Sequence, residues 1–462
     1  MHSFSGRKLR VAIVGGGIGG LTCAAALKDC DNIELDLFEA AAKFIAIGAG
    51  IVTWPRTWSI FEALGLNEEM LERIKRMDPC EEDATPTNLH RQQLLDLLLE
   101  HLPFHCQVHF GHRLVSCREY EDRRGCGVEL HFRNGVTLDG YDLVIGADGL
   151  KSVVRQTVIA QSRSWTGLDA SVKDLEFSPN MTKEEHCHLG RRHDILYTGQ
   201  SAFRGLVPRE KLAALYPDHR ALRTSTIYCG KSKHVVVYPI SNGEIVNVVA
   251  FFSDSQSGSP VILETTGSSS PQNKQVPTDA VVNMYPGWED EVVDLLKVQL
   301  QMLEKPTIWP ILDLNPLETY ATSRIALLGD ASHSMSPHLG AGACTAIEDA
   351  YILGSLISRS KLNTIIDIKR VLAVYNTLRQ PYGNEIMRWA REMGEFYEFD
   401  SQDIQVDEIV DSLVNEATEE QMSKFRKGTE KYWSWPVRAA GTIGEDLRRG
   451  QEMLNEAKLG AL

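Results

Sequence analysis

The sequence predicts an α/β fold: a Rossmann-like dinucleotide-binding domain, interrupted by a strand-rich insert and followed by helices. Three observations predict it. Near the start, "RVAIVGGGIGGLTCAAALKDCDNIELDLFEA" (Arg10 to Ala40) runs from a β-branched apolar strand through a glycine turn into an alanine-rich helix, then into a second strand that ends on an acid. From about Ser178 to Leu314 strand-like segments dominate. Then "SRIALLGDASHSMSPHLGAGACTAIEDA" returns to strand, glycine loop and helix. The expected division is 1–177 with 315–395 for the binding domain, 178–314 for the insert and 396–462 for a C-terminal helical region.

The first element is "VAIV", a short apolar run suited to a buried strand. Gly15, Gly17 and Gly20 follow as G-x-G-x-x-G. The first glycine permits the tight turn, the second admits a pyrophosphate close to the backbone, and the third lets the helix pack on the sheet. The helix that follows points its N-terminal amides and dipole at the phosphates. Glu39 closes the second strand, 19 residues past Gly20, where a carboxylate can accept bonds from ribose hydroxyls. The unit binds a dinucleotide; NAD and FAD use the same cradle.

Further along, "FIAIGAGIVTWP" (Phe44 to Pro55) forms a second glycine cluster. "TWSIFEALGLNEEMLERI" has helical spacing, and "NLHRQQLLDLLLEHL" predicts a helix with Asn88 as N-cap and Arg91 near its first turn. "YDLVIGADG" is an apolar strand that ends on Asp148 and Gly149. In the insert, "ILYTGQSAFRGLVP", "TSTIYCG", "HVVVYPIS" and "EIVNVVAFFS" read as strands, and the serine-rich stretch after Phe252 as a mobile surface loop. "GWEDEVVDLLKVQ" is a short amphipathic helix, and the remainder to Leu462 is mostly helical and polar.

Composition narrows the partners. With 62 acidic against 48 basic residues the net charge is −14, which disfavours nucleic acid and anionic membrane. No uncharged apolar run approaches the length of a membrane span. The nine cysteines are scattered without a C-x-x-C, and Cys23 and Cys344 fall in buried patterns; the chain reads as reduced and cytoplasmic. The histidine-rich stretches His101 to His112 and His186 to His193 lack ligands at recognisable metal spacing, so no metal is expected. "DASHS" holds Asp, Ser and His side by side, and adjacency in sequence is not a catalytic triad.

The later motifs extend the first one. Asp148 with Gly149, and Gly329 with Asp330, each follow a strand; Pro337, Gly340, Gly342 and Ala343 open a helix. An acid at a strand end can hold a polyol hydroxyl, and a glycine-lined helix start can approach a planar ring and favour negative charge on it. A nicotinamide cofactor needs neither a ribityl site nor a third contact region so far along the chain; a flavin does.

The ordered set G-x-G-x-x-G with terminal Glu, "GADG" and "GDASH…P-x-x-G-A-G-A…EDA" resembles the group A flavoprotein monooxygenases, and most of all their salicylate-hydroxylase-like branch common in fungi. The resemblance covers nearly the whole chain, including "YWSWP" near the end. It implies a glutathione reductase-type FAD-binding domain, an inserted mixed-sheet substrate domain and C-terminal helices. It implies that Glu39 binds the adenosine ribose of FAD, that Gly50 and Val52 line the flavin, and that Arg91 reaches the pyrophosphate–ribityl region. It further places Asp148 at the pyrophosphate, Asp330 at the ribityl chain and Ala343 at the isoalloxazine edge. In phenol-dearomatising members of the branch, an arginine and a tyrosine at the positions of Arg204 and Tyr238 hold the substrate as phenolate. Relatives carry a longer stretch than the one found here between Arg76 and Arg91.

The activity so implied is aromatic hydroxylation of a phenolic substrate. FAD is reduced by NADPH or NADH as a transient cosubstrate, and O₂ is delivered through a flavin C4a-hydroperoxide. No second glycine-rich strand–turn–helix unit exists for the nicotinamide. Two rivals share the motifs: a flavin reductase or dehydrogenase on the same scaffold, and a non-catalytic FAD-binding protein.

Overall fold

The computed structural model describes residues 7–44, 50–74, 87–122, 125–165, 195–241, 243–253, 261–262, 274–275, 281–301, 307–360, 362–401, 419–434 and 442–458. The strands, in chain order, are β1 (Leu9–Val14), β2 (Ile33–Phe38), β3 (Gly50–Thr53), β4 (Thr87–His90), β5 (Cys106–His109), β6 (Leu114–Asp122), β7 (Gly125–Phe132), β8 (Thr137–Tyr141), β9 (Leu143–Gly146), β10 (Ile195–Pro208), β11 (Thr226–Gly230), β12 (Lys233–Ile240), β13 (Ile245–Ser253), β14 (Val261–Ile262), β15 (Lys274–Gln275), β16 (Thr307–Leu314) and β17 (Ile325–Leu327).

The glycine-motif strand β1 lies at the centre of a five-stranded parallel sheet, order β17-β9-β1-β2-β5. Its residues are almost wholly buried, as a parallel strand covered on both faces demands. Helix α1 (Ile18–Ala26) follows β1 directly. It packs so tightly on the helix Gly342–Arg359 that a methyl at Gly354 would stand 2.5 Å from the Ala26 side chain. Sheet order thus brings three turns far apart in sequence to one edge: those after β1, β9 and β17.

The insert is a second sheet, order β11-β12-β13-β10-β16-β15, with β14 also paired to β10. Its register sorts the two faces. Arg204 pairs with Val249 and Val249 with Val236, so Arg204, Val236 and Tyr238 share one face with Gln200, Ala202, His234 and Phe251. The opposite face carries Phe203, Val207, Val237 and Val248, which pack with Leu295 and Leu296 of the helix Asp290–Gln301. One face is therefore core, and the other is turned to the dinucleotide domain.

Three expectations need correction or placement. The apolar run from Thr57 onwards folds as two helices, Pro55–Leu64 and Asn67–Ile74, because Gly65 takes the left-handed conformation (φ 77°) and caps the first. Asn88 is not a helix cap: it lies in β4, paired with Val52 of β3, and the helix Arg91–Glu100 is capped by His90, whose Nδ1 accepts from the Gln92 amide at 3.2 Å. Antiparallel pairing claims Asn88 before the helix can begin. The stretch from Arg76 towards Arg91, the serine-rich loop after Phe252 and the histidines between His186 and His193 lie wholly or largely outside the described residues.

Towards the C-terminus, the helix Ile365–Tyr397 starts on a reciprocal capping box between Thr364 and Asp367. The helix Glu419–Trp433 then packs on its end, with the Phe396 and Phe425 rings 4.9 Å apart.

Candidate active site

The first turn leaves no room for a side chain at Gly15 or Gly20. Gly15 has φ 110°, and a Cβ there would meet the Ala147 carbonyl oxygen at 2.2 Å. A Cβ on Gly20 would meet the Gly15 oxygen at 2.0 Å. Gly17 faces open space, with nothing within 4 Å of a notional Cβ. No side chain caps α1 and no acid sits in its first turn, so its leading amides are available to an anion. Glu39 is fixed beside them by accepting from the Gly16 amide (3.0 Å) and the Ala41 amide (2.7 Å).

A cavity of about 290 Å³ opens there, lined by Gly16, Gly17, Glu39, Phe44, Arg91 and Arg113 among others. Two guanidiniums facing an uncapped helix start and a held carboxylate suit a ligand with phosphates at one end and ribose hydroxyls at the other. Arg113 was not among the candidates read from the sequence. It joins the site only because β5 pairs beside β2, which no local pattern announces.

The second turn behaves differently from expectation. The Asp148 carboxylate accepts from the Ser152 hydroxyl and from the Val153 and Val154 amides at 2.7 and 3.2 Å, so it caps the helix Val153–Trp165. It is the Asp148 main chain that abuts Gly15. Gly149 follows with φ 76°. Arg155 bridges this turn to the third, donating to the Leu150 carbonyl at 2.5 Å and the Ala331 carbonyl at 3.1 Å.

At the third turn Gly329 (φ 60°) presents an exposed Asp330. Asp349, fully buried beneath it, accepts from the Gly329 amide (3.0 Å), from Arg379 Nε (2.7 Å) and shares a 2.5 Å bond with His333. Burial works against its charge, but His333 and Arg379 outweigh that and hold the carboxyl near pKa 2.

The helix Gly342–Arg359 begins beside this turn without a side-chain cap or an early acid. Gly340 has φ 60°, and a Cβ there would stand 3.2 Å from that of Val52. Cys344 Sγ donates to the Val52 carbonyl at 3.2 Å, joining the helix start to β3. Further along the same strand, a methyl at Gly50 would lie 2.5 Å from the Tyr238 hydroxyl. Gly50 and Val52, two residues apart on β3, share one face of the strand, and both the sheet face that carries Tyr238 and the Gly340–Ala343 turn meet it there.

Arg204 is open to solvent by surface, yet burial is the largest influence on its charge and lowers its pKa. A side chain both wetted and surrounded by protein is one that projects into a cleft. Its neighbours are Tyr238, which favours its charge, and Arg91, which opposes it. Arg91 therefore stands between the dinucleotide cavity and the sheet face. Burial pushes the Tyr238 phenol up to about 12 despite Arg204. The structure brings Arg91, Arg204, Tyr238, Gly50, Val52, Gly340, Gly342 and Ala343 to one region.

Beside that region Trp433 of the "YWSWP" stretch packs edge-on against Trp54 at 5.4 Å and donates to the Tyr397 hydroxyl at 2.8 Å. Among the described residues no group of histidine, cysteine and acid side chains is arranged to hold a metal, and no helix is long and apolar enough to cross a membrane.

Comparison with known proteins decides what the cavity is for. The family described as FAD binding domain is matched over residues 8–390. The chain belongs to the FAD binding domain family. It is 31% identical over 424 residues to a salicylate hydroxylase of Pseudomonas putida, covering 86% of this chain and 88% of the relative. It is 28% identical over 417 residues to the 6-methylsalicylate 1-monooxygenase of Aspergillus terreus, covering 84% and 83%. A solved salicylate hydroxylase substrate complex superposes with a TM-score of 0.72 at 27% identity, covering 96% of this chain and 98% of that one. The chain is an FAD-dependent aromatic monooxygenase, and its cofactors are FAD and NAD(P)H. The uncapped helix starts, the held Glu39 and the free Asp330 fit FAD.

Proposed function

We propose that this monooxygenase hydroxylates a small phenolic acid or resorcinol, and that Arg204 and Tyr238 hold it against β3. The observation that carries the reading is the composition of one sheet face. Arg204 and Tyr238 stand beside an apolar floor of Ala202, Val236, Val249 and Phe251, with the cation and the phenol together at one edge of it. An aromatic ring with one anionic oxygen matches that pattern in size and charge distribution.

FAD, when bound, would supply the redox chemistry that activates O₂ at the expense of NAD(P)H. The chain's own groups do the rest. Arg204 pairs with the phenol oxygen and favours its ionised form, which enriches the ring carbon to be attacked. Tyr238, with its pKa near 12, stays protonated at neutral pH and donates a hydrogen bond to that same oxygen. Arg91 adds positive charge from the cofactor side. With FAD bound, Glu39 would take ribose hydroxyls, the α1 amides and Arg113 phosphate oxygens and Asp330 a ribityl hydroxyl, and the Gly342 and Ala343 amides would serve the ring.

Relatives acting on salicylate and 6-methylsalicylate favour an ortho-hydroxybenzoate as substrate, with the carboxylate near the same cations. A panel of salicylates, hydroxybenzoates and resorcinols tests this by phenol-stimulated NAD(P)H oxidation and ¹⁸O₂ incorporation read by mass. One labelled oxygen in the product is the expected result. NAD(P)H oxidation with no labelled product from any phenol would leave only the reductase reading.

A further inference from the structure

The same sheet face carries a second set of polar groups that the function proposed above leaves unused. His234 is wholly buried, with its ring stacked on Phe251 at 4.3 Å. Its Nδ1 lies 2.9 Å from Glu398 Oε1, and its Nε2 lies 3.2 Å from His338 Nδ1. His338 Nε2 in turn lies 2.8 Å from Gln200 Oε1. The Ser253 hydroxyl donates to Glu398, closing the set. The members come from β12, the C-cap of the helix Ile365–Tyr397, the turn Pro337–Leu339 and β10. A methyl at Gly394 would meet the His338 ring at 2.4 Å, so the helix leaves room for that ring only as glycine.

Hydrogen-bond direction can be followed from one end. The Gln200 side chain turns its carbonyl oxygen to His338 at 2.8 Å, so His338 Nε2 carries the hydrogen. Burial lowers both histidines to about 3, so each holds one ring hydrogen at neutral pH. His338 Nδ1 is then an acceptor, and His234 Nε2 must donate to it. That leaves His234 Nδ1 bare, facing a Glu398 oxygen. Two bare acceptors 2.9 Å apart repel; the contact is a bond only if the oxygen is protonated.

We propose that Glu398 carries a proton in the working protein and, acting through His234, fixes His338 as its Nε2–H tautomer, so that the chain from Glu398 to Gln200 clamps the Pro337–Leu339 turn onto the substrate face. Glu398 and Gln200 are positioning residues. The clamp itself is independent of the substrate; only its service to hydroxylation rests on the reading above. Ionisation of Glu398 reverses each bond in turn, until the bare His338 Nε2 faces the Gln200 oxygen and that contact is lost. Burial pushes the Glu398 carboxyl up, and Asp400 adds to that, while Ser253, His338 and Gln200 oppose it. The other groups nearby are Cys229, Tyr285 and Tyr397, and Lys231, which is paired to Asp400.

Infrared difference spectra of the holoenzyme across neutral to alkaline pH read the proton directly. The expected result is a protonated-carboxylic-acid C=O band that disappears as pH rises and is missing from Glu398→Gln. ¹⁵N-histidine NMR of the wild type, assigned with His234→Asn and His338→Asn, should find Nε2–H on both rings. In turnover, the substrate KM of the wild type should rise at alkaline pH, and Glu398→Gln should flatten that rise. Gln200→Leu should raise KM about tenfold at neutral pH with kcat little changed. A wild type without the acid band, an Nδ1–H on His338, or a Glu398→Gln profile identical to wild type would each overturn the proposal. Loss of the functional reading looks different: no phenol supports turnover, while the band and the tautomers stay as described and the clamp stands.

Discussion

Replacing Asp349 by asparagine puts one buried atom in the wrong place. In the native site Oδ2 receives the Gly329 amide and His333, and Oδ1 receives Arg379 Nε. An asparagine has one oxygen and one NH₂, so a donor must face donors on one side whichever way the amide turns. Arg379 is 1% exposed and keeps only Glu348 at 3.1 Å and the Thr345 carbonyl at 3.4 Å. Breaking one partner of a buried ion pair costs about 3–5 kcal/mol, against a total stability of roughly 5–15. When the NH₂ takes the Oδ2 side and leaves the oxygen to Arg379, the Gly329 amide loses its acceptor, so the turn that presents Asp330 should loosen as well. The assay is thermal unfolding followed both by far-ultraviolet circular dichroism and by released flavin fluorescence, with FAD affinity measured by titration of the apoprotein. The variant should melt several degrees lower, and its flavin should leave before the helices do. Unchanged melting and unchanged FAD affinity would refute the idea that this network holds the turn. The pH dependence carries the same sign. The folded pKa near 2 lies below the ordinary 3.8, so the contribution is complete above about pH 4 and is lost as pH falls towards 2. By linkage it amounts to about 2–3 kcal/mol, and the variant should lack that acid-side decline.

Three other outcomes are expected. Glu39→Ala should weaken FAD binding on the order of 10–100-fold, since two backbone amides lose their acceptor along with the ribose; titration of the apoprotein measures it, and full flavin occupancy at wild-type affinity would count against the ribose role. Arg204→Ala should lower kcat/KM by roughly 10²–10³-fold while leaving the flavin spectrum unaltered; normal turnover would remove Arg204 from the site. Tyr238→Phe removes a donor that remains protonated up to about pH 12, so KM should rise about tenfold with a changed pH profile, and an identical profile would return Tyr238 to a packing role.

Much of the cofactor half was legible because its physics is local. Gly15, Gly20 and Glu39 act within one strand–turn–helix–strand unit, and the conformations that require them are fixed by near neighbours. The run from Thr57 to Ile74 reads as one helix because spacing alone does not weigh the left-handed turn at Gly65. Asn88 was misplaced because its competitor for structure, Val52, lies 36 residues away in β3. The role of Asp148 as a helix cap depends on the direction in which the chain leaves the turn, which a strand-end motif does not encode. Arg113 enters through sheet order, and the His234–His338–Glu398 set joins residues separated by 104 and 164 positions. Nothing in the pattern around any one of them points to the others.

β3 offers glycine at 50 to the tyrosine and valine at 52 to the turn at Gly340. The two residues share one face of the strand, so a single short element sets how closely two separate parts of the chain approach it. Gly50→Ala and Val52→Ala therefore act in opposite directions, one pushing the Tyr238 ring off the strand and the other letting the Gly340 turn settle closer to it. How efficiently oxygen reaches the product rather than escaping as peroxide should follow those two approaches.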